Sequence, residues 1–327
     1  MTNSSTNKPL VSVIIPTMNR VEVLIPCLQT VYQNTYSNFE VIVVDNASSD
    51  GTVDRVRNLF PTSNVIELPK NVFLAAARNV GAGLATGKYF LFIDDDNEVD
   101  SDLISAMVSL FEDDSTIGAA GPKNYYFGED KLVLWAGQTI GHWTSWTRFR
   151  GVRAHDEGQF NDVVDTEGIP NVMMMRRDVF VRLGGYDETY RMSYADADLP
   201  MRFRRAGYRT VCNPRAVVYH KIKPDLSRNR MPMRAYYYAR NRVIYMKRFS
   251  SPLQFAVFFL VFYPLFTLYY IVREVRNRDW NDLRMHIRGT MDGVWYGLTG
   301  KIRDGIAASM TEASGAPDLL VERKDRY

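Results

Sequence analysis

The first hundred residues alternate short apolar runs with longer stretches of mixed polarity. The runs are LVSVIIP from Leu10, FEVIVVD from Phe39, NVIELP from Asn64 and YFLFID from Tyr89. Unbroken Val/Ile/Phe character, as opposed to strict alternation, suits strands covered on both faces, so these read as strands of a mainly parallel sheet. Residues 21–34, 51–60 and 73–86 between them space their apolar positions as helices do. The result is a βαβαβαβ order and an α/β fold class. In such a sheet ligands collect beyond the carboxyl ends of the strands, near a topological switch point. Three polar clusters fall there: PTMNR after the first strand, DNAS after the second and DDD after the fourth.

The last cluster is the most demanding chemically. Asp94, Asp95 and Asp96 repel one another and cannot all be buried without a partner. Either they are a solvated group before a helix starting near Ser101, or they surround a cation. The topology predicts that Asp45 is their neighbour in space, and a nucleotide suits that pairing. One carboxylate would accept hydrogen bonds from base or ribose, while the triplet holds Mg²⁺ or Mn²⁺ on the phosphates, since both ions favour oxygen ligands.

Beyond residue 118 the pattern loosens. Residues 118–159 are rich in turns, aromatics and short β runs and read as an irregular or antiparallel insert. A second acidic pair, Asp196 and Asp198, opens a helix expected over 196–206, and VCNPRAVVYH reads as a strand ending on His220. Cys27 and Cys212 stand far apart without metal-ligand spacing, as reduced structural thiols would. The N-terminal MTNSSTNKPL lacks the apolar core of a signal peptide; a short disordered lead over 1–9 and a cytoplasmic catalytic part are expected.

The net charge of +3 conceals an asymmetry. Residues 1–200 carry 16 Lys/Arg against 27 Asp/Glu, and the remainder 24 against 10. A basic C-terminal part points to an anionic partner such as phospholipid or phosphate, and no nucleic-acid partner is expected. In YYYARNRVIYMKRF, read as a helix, Arg240, Arg242, Lys247 and Arg248 are expected to meet lipid headgroups or acceptor phosphate. The following charge-free PLQFAVFFLVFYPLFTLYYIV, 252–272, is long enough to span a bilayer, yet both flanks are basic and Pro264 sits mid-run. A re-entrant or interfacial element is favoured over a single span, with burial in a homo-oligomer as the other reading. DWNDLRMHIRGTMDGVWYGLTGKIR then reads as an amphipathic helix on the same surface, before a tail over 301–327. The implied division is 10–225 for the sheet domain and 226–300 for a basic, aromatic, membrane-associating helical region.

Taken in order, VSVIIPTMNR, VIVVDNASSDGT, NVFLAAARNVGAGLATGKYFLFIDDDN, DEGQF, NVMMMRRDVFVRLGGYDE, YADADLPMRFRRAG and YYYARNR resemble the family 2 glycosyltransferases. The likeness is to their membrane-associated, rhamnosyltransferase-like members that build surface polysaccharides and glycolipids. It implies a GT-A fold, a Rossmann-like, mainly parallel sheet with flanking helices, and inverting transfer of a hexose from a nucleotide-diphosphate sugar. By the same resemblance Pro16, Thr17 and Arg20 touch the nucleotide, Asp45 recognises the base, and Arg78 lies near base and diphosphate. The DxD element falls on Asp94 and Asp96. Asp96 would be the direct metal ligand, Asp94 would sit nearer the ribose while counting among the ligands, and Asp95 is the variable middle residue. Asp196 becomes the catalytic base, although Ala195 stands where the family often has Glu. His220 matches a position that in some relatives helps bind metal or diphosphate, a structural histidine being the alternative. The resemblance also implies a polyprenyl-linked or other lipid-linked acceptor, which would place the enzyme on the cytoplasmic face of the membrane.

The rivals each lack a signature. A dehydrogenase needs GxGxxG after the first strand, and PTMNRV has none. A nucleotidyltransferase needs a Gly-rich basic loop there, and a processive polysaccharide synthase a QxxRW element. A non-catalytic sugar-nucleotide or lipid-binding protein is the remaining alternative.

Overall fold

A computed structural model describes residues 8–222 and 232–305. Most of the expected lead over 1–9 (residues 1–7), the expected domain boundary near 225 and most of the expected tail, 306–327, lie outside the described residues. The chain divides into two compact units. The first takes residues 8–139, 148–188 and 195–222, the second 140–147, 189–194 and 232–305. Two short segments well inside the expected sheet domain thus group with the C-terminal helices.

The first unit begins as its hydrophobic pattern dictates: β1 (Val11–Thr17), α1 (Val21–Tyr32), β2 (Phe39–Asp45), α2 (Thr52–Leu59), β3 (Asn64–Glu67), α3 (Phe73–Leu84) and β4 (Tyr89–Ile93). Each helix lies within about two residues of its expected bounds, the usual latitude for helix ends. These strands run parallel in the order β3-β2-β1-β4, with Thr17 beside Asp45 and Asp45 beside Glu67. Every residue of β1 and β4 is buried, which is why neither shows polar alternation.

After β4 come β5 (Asn97–Val99), α4 (Leu103–Asp113), β6 (Ile117–Tyr126), β7 (Val133–Trp135), β8 (Gln138–Ile140), β9 (Thr147–Phe149), β10 (Val164–Asp165), β11 (Val172–Arg176), α5 (Arg177–Arg182), α6 (Ala195–Arg205) and β12 (Arg209–His220). Antiparallel β11 inserts between β4 and β6, and the order continues to β12 and β10, with β5 on β12 and β7 on β6. The insert is mixed where an irregular or antiparallel one was expected: β6 pairs parallel with β12 and antiparallel with β7 and β11, and β8 and β9 form a separate two-stranded sheet. Both cysteines are buried and free.

The second unit is helical: α7 (Pro232–Phe249), α8 (Pro252–Val257), α9 (Tyr263–Asn277) and α10 (Trp280–Thr299). Ser251 and Gln254 close a capping box at the start of α8, with Pro252 in the first turn. Pro264 does not break the rod. The π turn Phe258–Phe262 joins α8 to α9 just before it, and a widened turn accommodates the backbone hydrogen bond that proline cannot donate. Gly289, Gly293 and Gly297, four apart on α10, let neighbours approach closely. A Cβ at Gly289 would lie 2.2 Å from the Tyr236 carbonyl oxygen, and one at Gly297 2.3 Å from the Phe259 ring. Further along the pair, the Tyr270 and His286 rings stack with centroids 3.7 Å apart.

The opposite face of this rod exposes Leu253, Leu260, Val261, Leu265, Leu268, Tyr269 and Val272. Among the described residues, Pro252–Asn277 is the one helix long and apolar enough to cross a membrane, with mean hydropathy 2.1 over its most apolar window. The basic residues of α7 depart from expectation. Arg240 and Arg242 are buried, not turned outward, and Lys247 donates to the carbonyls of Tyr296 and Gly297. Asp304, backbone carbonyls and tyrosine hydroxyls satisfy the two guanidinium groups, so those charges are spent inside the unit.

Candidate active site

The parallel strands deliver their polar ends to one place. Pro16 and Thr17 finish β1, and the buried Thr17 hydroxyl donates to Asp95 Oδ2 at 2.7 Å. Arg20, just before α1, reaches across with Nη1 2.8 Å from Asp95 Oδ1 and Nη2 3.0 Å from Asp96 Oδ2. Asp45 finishes β2, where Oδ2 accepts from the Ser48 amide at 2.9 Å. Its Oδ1 is buried and meets no donor among the described residues, which suits an acceptor kept for the N–H of a ligand.

Arg78 is the hub. It projects from α3 and is buried, with Nη1 donating to Asp196 Oδ1 at 2.5 Å and Nη2 to Asp94 Oδ1 at 2.6 Å. Its guanidinium carbon also lies 5.0 Å from the centre of the Tyr186 ring. Two carboxylates 102 positions apart thus share one cation. Asp196 sits in the first turn of α6, where the helix dipole favours negative charge. Its neighbour Asp198 is buried against Arg202 Nε at 2.7 Å and belongs to the helix's own packing.

His220 closes the far side at the end of β12. Its Nε2 lies 3.1 Å from Asp96 Oδ1, and its Nδ1 3.2 Å from the Asn171 side-chain nitrogen. Asn171 holds this position from a left-handed backbone, φ 65°. Neither Asn171 nor Tyr186 carried a role in the sequence reading. The turn-prone IPN before β11 and the GGYDE run after α5 are the signals that could have found them.

The three adjacent aspartates occupy three electrostatic environments. Burial pushes Asp95 up to about 7 against the pull of Arg20 and Thr17. Burial also raises Asp94, outweighing Arg78. Asp96 is held well below the usual carboxylate range: burial works against this, but His220 and Arg20 prevail. Asp96 and His220 meet directly, a carboxylate and an imidazole whose donor chemistry fits Mn²⁺ or Mg²⁺, and Asp94 offers a second carboxylate two residues away in the chain. Of the expected site residues, Thr17, Arg20, Asp95, Asp96 and His220 form one set of direct contacts and Arg78, Asp94 and Asp196 a second, and the two sets meet in the chain where Asp94 is followed by Asp95. Pro16 and Asp45 join them through the β1–β2 pairing.

A carboxylate cluster at the ends of parallel strands, with antiparallel β11 beside β4, matches a GT-A glycosyltransferase architecture. The chain belongs to glycosyl transferase family 2, whose sequence model matches residues 12–184. Among its relatives, protein y4gI of Sinorhizobium fredii is 29% identical over 259 residues, covering 73% of this chain but 27% of that protein. A PGL/p-HBAD biosynthesis glycosyltransferase of Mycobacterium tuberculosis is 30% identical over 199 residues, 59% of this chain and 69% of that one. Two solved structures share the fold. The mannosyltransferase PcManGT of Pyrobaculum calidifontis, in complex with GDP-Man and Mn²⁺, has a TM-score of 0.54 at 20% identity over 95% of this chain and 80% of its own. GalNAc-T7 with UDP, GalNAc and Mn²⁺ has a TM-score of 0.57 at 16% identity over 72% of this chain and 51% of its own.

Proposed function

We propose that this protein transfers one hexose, with inversion, from a nucleotide-diphosphate sugar to a hydroxyl of a lipid-linked glycan acceptor. The observation that carries the reading is Arg78 joining Asp94 of the DxD element to Asp196 at the strand ends. Asp45 Oδ1 accepts a hydrogen bond from the base, and Thr17 and Arg20 order the carboxylates beneath the diphosphate. Asp94, Asp96 and His220 would hold a divalent ion, which when bound supplies positive charge to the departing diphosphate. Asp196 takes the proton of the acceptor hydroxyl as its oxygen bonds to the anomeric carbon and the bond to the diphosphate breaks. Arg78 fixes the orientation of that carboxylate. Attack from the face opposite the leaving group inverts the centre, and no covalent sugar intermediate is needed.

The second unit supports a membrane-bound acceptor. One face of the Pro252–Asn277 rod packs along α10, which carries Asp282, Arg284, Arg288 and Asp292, so the pair is unsuited to the bilayer interior. The other face is an apolar stripe from Leu253 to Val272, about 30 Å long at 1.5 Å per residue. A rod of that kind lies in the membrane interface, at the cytoplasmic face in this reading, and shares that surface with the acceptor.

The test is a thermal-shift panel of UDP, dTDP and GDP with and without Mn²⁺, followed by transfer assays with the matching sugar nucleotides and extracted membrane lipid. Metal-dependent stabilisation by one nucleotide, with transfer lost in Asp196→Asn while nucleotide binding persists, is the expected result. Near-normal transfer by that variant removes Asp196 as the base.

A further inference from the structure

The segment 189–194 enters the second unit from the middle of the chain, between α5 and α6, and three consecutive residues of α7 hold it. Arg240 Nη2 donates to the Thr189 carbonyl. Asn241 is fully buried, and its side-chain nitrogen donates to the carbonyls of both Tyr190 and Ser193 at 2.8 Å. Arg242 Nε lies 3.2 Å from the Tyr194 hydroxyl, while its guanidinium is stacked 4.4 Å from the Phe266 ring centre. Arg191, inside the segment, pairs with Asp304 at 2.6 Å, and Asp304 also pairs with Arg240.

This grip coincides with backbone strain. Arg191 and Tyr194 both adopt left-handed conformations, φ 52° and 74°, which a bulky residue enters only when its surroundings impose it. Asn241 bonds the carbonyls that flank Arg191 and Met192, and Arg242 takes the Tyr194 side chain. Three donors so arranged do more than fasten a loop; they dictate its path. That path ends at a defined point, because Tyr194 is bonded to Ala195, the first residue of α6, and Asp196 is the next.

We propose that Arg240, Asn241 and Arg242 are positioning residues for Asp196, setting the start of α6 by imposing the strained path of 189–194. The inference rests on the reading of Asp196 as the base and extends the reaction's requirements to residues of α7. Buried guanidinium and amide groups on α7 thereby gain a purpose other than headgroup binding. Losing the grip lets Tyr194 relax toward an ordinary backbone conformation and moves the carboxylate away from the reacting hydroxyl. A displacement of about 1 Å is enough to cost about a hundredfold in rate.

Asn241→Ala and the milder Tyr194→Phe in the full-length protein test this, with Asp196→Asn as control. Two quantities are read: UDP affinity with Mn²⁺ by titration, and turnover of the sugar nucleotide that the wild type uses fastest, with extracted membrane lipid as acceptor. Asn241→Ala is expected to lower kcat at least tenfold with UDP affinity within twofold of wild type, and Tyr194→Phe to lower it severalfold with the same affinity. If Asp196→Asn abolishes transfer while both loop variants keep wild-type kcat, the positioning role is wrong and the base assignment survives. If Asp196→Asn turns over normally, the base assignment itself has failed. Loss of UDP affinity in parallel with kcat in Tyr194→Phe would reduce the three residues to general folding and overturn the inference.

Discussion

Replacing Arg78 with methionine keeps the bulk of the side chain and removes the one charge that Asp94 and Asp196 share. Arg78 itself is buried, while the two carboxylates retain 22% and 31% side-chain exposure. Breaking a buried ion pair costs about 3–5 kcal/mol because a charge is stranded. Water reaches part of both carboxylates here, which lowers the expected loss to about 2–4 kcal/mol, including the lost stacking on Tyr186. For a domain of this size each kcal/mol moves Tm by about 2–4 °C, so the first unit should melt about 4–16 °C lower. The sign with pH is also defined. Without Arg78, Asp94, already raised by burial, binds its proton more tightly in the folded state, so the variant loses less stability, relative to wild type, as pH falls. Urea unfolding followed by Trp135, buried in this unit, at pH 8 and pH 5.5 measures both effects. Adding Asp196→Asn to the variant should recover part of the loss, since one of the two repelling charges is gone. A destabilisation below about 0.5 kcal/mol, or a deficit that grows on acidification, would refute the hub role.

The other predictions address separate parts of the molecule. Asp45→Asn, which turns an acceptor into a partial donor while keeping its shape, should weaken UDP binding about tenfold or more with little change in Tm; unaltered affinity by calorimetry would remove Asp45 from base recognition. His286, stacked on Tyr270, is pushed from its ordinary 6.5 down to about 4 by burial, with Arg242 and Arg273 contributing. The unfolded chain takes up that proton first, so the second unit should lose stability as pH falls from 6.5 towards 4, by about 2 kcal/mol at pH 5. His286→Phe should remove this pH slope in helix melting followed by circular dichroism, and an unchanged slope would contradict it. Leu265→Glu with Leu268→Glu should move the protein from the floating to the soluble fraction in flotation with liposomes containing anionic lipid, while leaving UDP affinity intact. Full retention on the liposomes would mean that the α9 stripe is not the docking face.

The first half of the fold was legible because it is written locally. β1, β2 and β4 are dominated by apolar residues, and their shared direction carries Thr17, Asp45 and Asp94 to neighbouring strand ends without any knowledge of side-chain partners. The Asp triplet could likewise be read as a site because three adjacent carboxylates demand compensation. What supplies it could not be read so fully, since the pairs Arg20–Asp95, Arg78–Asp196 and His220–Asp96 close loops of 75 to 124 residues. The C-terminal half misled for a related reason. A high density of arginine was taken as a surface, but Arg240 and Arg242 are buried because Asp304, Tyr194, Tyr238 and carbonyls from distant segments meet them there. Charge count reports which groups need partners; only the fold reports whether those partners are water, lipid or protein. The glycines of α10 mark the middle ground. Their four-residue spacing was visible in RGTMDGVWYGL and signals close helix approach, and it would have set α10 against α7 and the Pro252–Asn277 rod before any coordinates. With α10 covering one side of that rod, only the other side is left open to an apolar partner, which is the physical reason the position proposed for it is interfacial and not a span.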